Sequence, residues 1–174
     1  MVCCPFPGLQ HMHWIDIDDP SRRDAQRPDQ RRRVESAQDE VPAVTVALHR
    51  AAFGAADMTV EWRKRTLCMP QYIPELDVVA VAPDGRLAAF CICWLGPRIG
   101  EGYIEPLGVH PDFAGLGLGR AVLLEGLWRL QAHGAMTALI DRYEGDESAR
   151  VLYESLGFRT HVRTVTYMRC FRNV

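Results

Sequence analysis

Residues 108–130, GVHPDFAGLGLGRAVLLEGLWRL, set three glycines at alternate positions, Gly115, Gly117 and Gly119, directly before an amphipathic run. Glycine lets backbone N–H groups crowd around a ligand, and a helix N-terminus presents unsatisfied donors that favour anions. The chemistry implied is the holding of a phosphate. Two common phosphate loops do not fit. A dinucleotide fingerprint needs G-x-G-x-x-G or A; counting from Gly115 puts Arg120 in the last slot, and counting from Gly117 puts Val122 there. A P-loop needs Gly-Lys-Ser/Thr, and the single lysine, Lys64, lies far upstream. Just before the loop, Pro106 interrupts a β-rich stretch. It cannot donate to a ladder, so a bulge there would part the strand from its neighbour and turn the backbone of Leu107 and Val109 toward a ligand.

Several elements must position this loop. Val44, Ala47, Leu48 and Ala51 repeat at helical spacing in DEVPAVTVALHRAAF, which predicts a helix from Asp39. Asp57 opens a second, DMTVEWRKRTLCM, ended by Pro70. LDVVAVA and LAAFCICWL read as strands joined by the turn PDGR, and GYIEPLGVH is a third strand leading into the loop. The helix after the loop carries Leu123, Leu124, Leu127 and Leu130 on one face and stops at Gly134. MTALID is the next strand. Asp146 then caps a short helix with Ala149, Leu152, Tyr153 and Leu156 at i, i+3, i+4 and i+7; Gly157 closes it, and THVRTVTYMR is the last strand. The order predicts an α+β domain over residues 35–174. Residues 1–34 read as a flexible or irregular arm, because DIDDPSRRDAQRPDQRRR mixes both charges with almost no apolar residue. HMHW at 11–14 has only two histidines and no partner close by, so it is read as part of that arm.

Composition narrows the function classes. The chain has 174 residues, 48% of them apolar, and a formal net charge of −2, which argues for one globular core and against nucleic-acid or membrane partners. The run Arg31–Arg33 is short and balanced by acids nearby. The six cysteines form no C-x-x-C pair and no metal site is expected; Cys91 and Cys93 should pack on one sheet face as small hydrophobes. The N-terminus lacks a basic region followed by an apolar one, and no run approaches the roughly 20 apolar residues of a membrane span. A reducing cytoplasm is the expected setting.

VHPDFAGLGLG at Val109–Gly119, followed by ARVLYESLGF at Ala149–Phe158, resembles the GNAT-type N-acetyltransferase superfamily over about residues 76–169. The resemblance implies the GNAT fold, a central mixed, mostly antiparallel sheet with splayed middle strands flanked by helices. It also implies acetyl-CoA as co-substrate. The loop and helix N-terminus (Ala114, Gly115, Leu116, Gly117, Leu118, Gly119, Arg120) would hold the pyrophosphate. The pantetheine arm would lie along Leu107, Gly108 and Val109, with Asp146 and Tyr153 nearby. Two positions depart from the family's habit: Ala114 stands where Arg or Gln is usual, and Asp146 where Asn is common. Loss of a charged donor to phosphate costs about 1.5–3 kcal/mol, while the backbone amides and helix dipole remain. Arg120, one residue past the loop, is placed to compensate.

Acetyl transfer needs an amine stripped of its proton, a polarised carbonyl and a proton for the departing thiolate. Glu105 lies four residues before Val109 and, by strand alternation, shares a face with Tyr103, Leu107 and Val109. Such apolar surroundings would raise its carboxyl toward a useful base. Family members often place a glutamate at this point. They also commonly aim a tyrosine at the CoA sulfur from the position of Tyr153, the candidate general acid. The Val109 N–H is the natural oxyanion donor, and His110 points away from Glu105 as a capping group. The expected acceptor, a small amine or peptide, would meet Trp62, Tyr72, Trp94, Tyr143 and Glu144. GFRTHVRTVTY is similar to a segment of mycothiol synthases, tandem GNAT proteins that acetylate a cysteinyl sugar amine. Many GNAT members pair through their sheets or last strands, which implies a homodimer. The alternative, suggested by Ala114 and Asp146, is a non-catalytic acyl-CoA-binding protein of the same fold.

Overall fold

The computed structural model describes residues 9–17, 33–37, 41–54 and 56–165. Its elements run β1 (Leu9–Asp16), β2 (Val34–Ser36), α1 (Pro42–Phe53), α2 (Val60–Leu67), β3 (Asp77–Val81), β4 (Leu87–Leu95), β5 (Glu101–Val109), α3 (Leu118–Ala132), β6 (Thr137–Tyr143), α4 (Glu147–Ser155) and β7 (Arg159–Val165). Seven strands form one sheet in the order β2-β3-β4-β5-β6-β1-β7. Among the described residues only the β5–β6 pairing is parallel; β1–β6, β1–β7, β2–β3, β3–β4 and β4–β5 are antiparallel.

Strand alternation sorts the core into two layers. Val78, Ala80, Ala89, Cys91, Cys93, Ile104 and Ile140 face α3 and α4, where Val122, Leu123, Leu127, Leu130, Tyr153 and Leu156 cover them. Val79, Phe90 and Ile92 face the other way, against Leu48 and Ala52 of α1. Cys91 and Cys93 do share a face, with Sγ atoms 3.6 Å apart in the core. They lie where α3 passes closest to the sheet: a Cβ on Gly126 would stand 2.7 Å from Cys93 Sγ and 3.1 Å from Cys91 Sγ. Gly126→Val should therefore destabilise the fold by about 1–3 kcal/mol through overpacking, seen as a lower urea midpoint at unchanged slope.

Two strands depart from the sequence reading. Where an irregular arm is expected over residues 1–34, residues 9–16 form β1, inserted between β6 and β7 with Gln10 opposite Tyr143 and Asp16 opposite Thr137. Its inward face is His11, His13, Ile15 and Ile17, a period-2 set in which the two histidines conceal the apolar signal. β2 is a three-residue edge strand on β3. The helices also begin later than expected. α2 starts at Val60 with Thr59 as its cap, accepting from Trp62 N–H at 3.1 Å. In α1 the buried residues are Val46 and Leu48, whereas Val44 of the expected stripe is exposed.

Candidate functional site

Pro106 shapes the site. Cys91 pairs with Leu107 and Cys93 with Ile104, so Glu105 and Pro106 together oppose Ile92 in a β-bulge. The Glu105–Pro106 peptide is cis. Trp94 Nε1 donates to the Glu105 carbonyl at 2.8 Å, which satisfies an acceptor the bulge removes from the ladder. Pairing between β5 and β6 covers only Glu101–Ile104 and Thr137–Ile140. Beyond it β5 stays with β4 and β6 stays with β1, and a wedge opens between them. That wedge holds a cavity of about 120 Å³ lined by Glu105, Pro106, Leu107, Asp141, Arg142, Tyr143, Asp146 and Tyr153, among others.

Ladder parity orients the backbone within the wedge. His110 N–H donates to the Ala88 carbonyl at 2.9 Å. Donors toward one neighbour alternate along an antiparallel strand, so the N–H groups of Leu107 and Val109 point away from β4, into the gap. Gly108 admits no side chain, since a Cβ would stand 2.6 Å from Phe90 and 2.9 Å from Ala52. Next comes a 3-10 turn, Pro111–Phe113, whose cap is His110: its Nδ1 accepts from Asp112 N–H at 3.2 Å, the capping role expected of it.

The glycine loop then delivers α3. Gly115 and Gly117 have φ of +75° and +72°, a left-handed backbone that favours glycine. Gly117 serves as N-cap with no side-chain bond, and the first intrahelical bond runs from Ala121 N–H to the Gly117 carbonyl at 3.1 Å. The amides of Leu118, Gly119 and Arg120 precede that bond and are free to meet an anion. Gly119 lies against Val109 and Leu152, where a Cβ would come within 3.3 Å. Leu116 is exposed on the loop and Leu118 packs on the core. Arg120 reaches Ser155 Oγ at 3.4 Å, toward α4. Asp146 caps α4 by accepting from Ala149 N–H at 3.0 Å and also lines the wedge. The loop therefore fits a diphosphate through main-chain donors from Gly115 onward; Ala114, expected among them, adds none, because it has no side-chain donor and its N–H bonds the Pro111 carbonyl at 3.1 Å.

Tyr153 and Glu105 share the wedge but not the same environment. Tyr153 is 4% exposed, with its ring against His13 and Phe158, each at 5.8 Å. Burial, and then the charge of Asp146, push its phenol well above the usual value. Glu105 is exposed. The apolar setting expected from simple alternation is absent, because the bulge at Pro106 shifts the phase of β5. Glu105 instead stands where the wedge meets a second cavity of about 500 Å³, lined by His49, Trp62, Thr66, Met69, Ile92, Trp94, Tyr103, Glu105 and Pro106. Of the five residues expected around the acceptor, Trp62 and Trp94 line this cavity. Tyr143 lines the wedge instead. Tyr72 lies behind Trp94 and donates to Asp77 at 2.8 Å, and exposed Glu144 lines neither space.

The sequence reading gave no site role to four polar residues here: Arg142, His13, Tyr103 and Asp141. Arg142 lines the wedge and donates through Nε to His13 Nε2 at 3.1 Å and through Nη1 to the Tyr143 carbonyl at 3.1 Å. His13 is fully buried; burial, Arg142 and His11 lower its pKa, which keeps the ring neutral. Tyr103 donates to Asp141 at 2.7 Å, tying β5 to β6 just below the split; burial and this bond raise its phenol. Period-2 alternation through HMHWIDI was the available signal for His13. Nothing local marks Arg142. Among the described residues, no group of three His, Cys, Asp or Glu could hold a metal, and no helix is long and apolar enough to cross a membrane.

Comparison with known proteins agrees with this geometry. The model of the acetyltransferase (GNAT) family matches residues 47–158. A mycothiol acetyltransferase of Kineococcus radiotolerans is 39% identical over 131 residues, covering 72% of this chain and 41% of that protein. The chain spans less than half the length of the curated relatives it matches. Two solved structures share the fold. A GCN5-related N-acetyltransferase from Sphaerobacter thermophilus aligns with a TM-score of 0.71 at 21% identity, over 92% of this chain and 51% of that chain. The ribosomal-protein-S18-alanine N-acetyltransferase from Escherichia coli aligns at 0.63 and 23% identity, over 75% and 79%. With the family's region covering most of the described domain and the split strands and glycine loop in place, the chain belongs to the GNAT acetyltransferase family.

Proposed function

We propose that this chain transfers the acetyl group of acetyl-CoA to a primary amine of a small molecule or peptide. The observation that carries the reading is the wedge at Pro106, bordered by outward-facing amides of Leu107 and Val109 and ending at Glu105 against an aromatic cavity. The relatives named mycothiol acetyltransferase support a small-molecule acceptor.

Bound acetyl-CoA supplies a thioester, whose carbonyl carbon forms a bond to the amine nitrogen while the C–S bond breaks. The amides from Gly115 to Arg120 hold the diphosphate at the N-terminus of α3. Val109 N–H donates toward the thioester oxygen, and the free Leu107 amide aligns the arm. Glu105 receives the proton of the incoming ammonium at the junction of the two cavities. Tyr153 gives its phenolic proton to the departing sulfur, and the second proton shed by the new amide nitrogen restores the phenol through solvent.

Thiol release from acetyl-CoA with a panel of amines, together with calorimetry of acetyl-CoA alone, tests this. Binding and release are expected together; binding without release from any amine favours the non-catalytic alternative, and no binding at millimolar cofactor removes both. Glu105→Gln should lower turnover by about 10²–10⁴ with acetyl-CoA affinity within a few fold. Since Glu105 is exposed, the same variant should leave the melting temperature nearly unmoved, which separates chemistry from folding.

A further inference from the structure

The cavity beyond Glu105 offers a ligand few free polar groups. Thr66 Oγ1 donates to the Trp62 carbonyl at 3.2 Å, Tyr103 to Asp141 at 2.7 Å, and Trp94 Nε1 to the Glu105 carbonyl at 2.8 Å. What remains is the Glu105 carboxylate at the wedge end, the ring of His49 and, at the exposed rim, the indole N–H of Trp62. The rest of the wall is apolar: the indoles of Trp62 and Trp94 with Met69, Ile92 and Pro106. Trp62 is 52% exposed, a large ring held at the rim of an open space of about 500 Å³ rather than in the core.

This wall selects a substrate by what it cannot satisfy. A hydroxyl buried there without a partner weakens binding by roughly tenfold or more, and an acceptor with several hydroxyls would incur that cost repeatedly. An aromatic or branched aliphatic body gains from each ring it covers. One carboxylate answers one ammonium.

Resting on the acetyl-transfer reading, we propose that the acceptor is a primary amine on a compact apolar body, an arylalkylamine in its simplest form, with the ammonium at Glu105 and the body against Trp62, Met69 and Trp94. Polyhydroxylated amines, including the cysteinyl sugar amine suggested by the last strand, are disfavoured by the same wall.

Two measurements on the full chain test this. Titration with 2-phenylethylamine, ethanolamine and glucosamine is followed by tryptophan fluorescence, and thiol release from acetyl-CoA is assayed with each amine. Expected are a saturable fluorescence change with 2-phenylethylamine alone and a kcat/KM about 10–100-fold above the two hydroxylated amines. Trp62→Ala should bring 2-phenylethylamine and ethanolamine to within about threefold of each other. Glucosamine binding more tightly or reacting faster, or equal rates for 2-phenylethylamine and ethanolamine, overturns the acceptor class. Saturable binding of 2-phenylethylamine with no thiol release from any amine supports the pocket assignment and overturns acetyl transfer instead.

Discussion

Tyr153→Phe is expected to lower turnover by about 10²–10⁴ while the dissociation constant for acetyl-CoA moves less than about threefold. The two side chains differ by one hydroxyl. The ring contacts with His13 and Phe158 persist, so a residue that only filled the core would tolerate the change with little effect on rate. The rate separates these roles. Burial in the wedge and the neighbouring Asp146 push the Tyr153 phenol above its ordinary value of 10. A raised value keeps the proton on below it, so the donor form persists through neutral and mildly alkaline pH. A pH–rate profile of the wild-type chain should therefore show no loss assignable to Tyr153 before about pH 10. Unchanged kcat in Tyr153→Phe would move proton donation elsewhere in the wedge.

Arg63→Met is expected to destabilise the fold by about 3–5 kcal/mol, a drop in melting temperature of roughly 6–20 °C for a chain of this size. Arg63 and Asp77 form a buried ion pair, 4% and 1% exposed, and Tyr72 adds a hydrogen bond to the same carboxylate at 2.8 Å. Removing the cation strands Asp77 in the core with only that phenol. The double variant Arg63→Met/Asp77→Leu should recover most of the loss, because apolar side chains of similar volume avoid the desolvation of both charges. Urea unfolding of the two variants and the wild type decides it; a loss under 1 kcal/mol in Arg63→Met would mean that Asp77 is satisfied without its partner. The pair matters to the site because it fastens α2 to β3, and α2 carries Trp62 and Thr66 on the wall of the larger cavity, where the amine is proposed to bind. The KM for the amine should rise in Arg63→Met more than that for acetyl-CoA.

The glycine loop, the α4 cap and the split at Pro106 were legible because their signals are local. Gly115 and Gly117 stand in the left-handed region ahead of α3, Asp146 caps α4, and Pro106 marks the bulge that parts β5 from β6. Each effect is set by a residue and its immediate neighbours, and such effects survive whatever packs around them. Leu123, Leu127 and Leu130 likewise announced the buried face of α3 by period alone.

The larger cavity depended on elements distant in sequence. It joins α1, α2, β4 and β5, and no spacing reveals that Trp62 and Trp94 meet there while Tyr72 turns back to Asp77. Alternation put Glu105 among apolar neighbours, but a two-against-one bulge changes the facing of every residue past it, and the carboxylate came out exposed. β1 escaped notice because His13 occupies a core position that only its contacts with Arg142 and Tyr153 make tolerable. Residue type and short spacing thus determined the glycine loop and the family. The cavity beyond Glu105, the setting of Glu105 and the place of β1 between β6 and β7 were decided by tertiary packing, since each rests on the pairing of distant strands and the burial of polar groups by partners far along the chain.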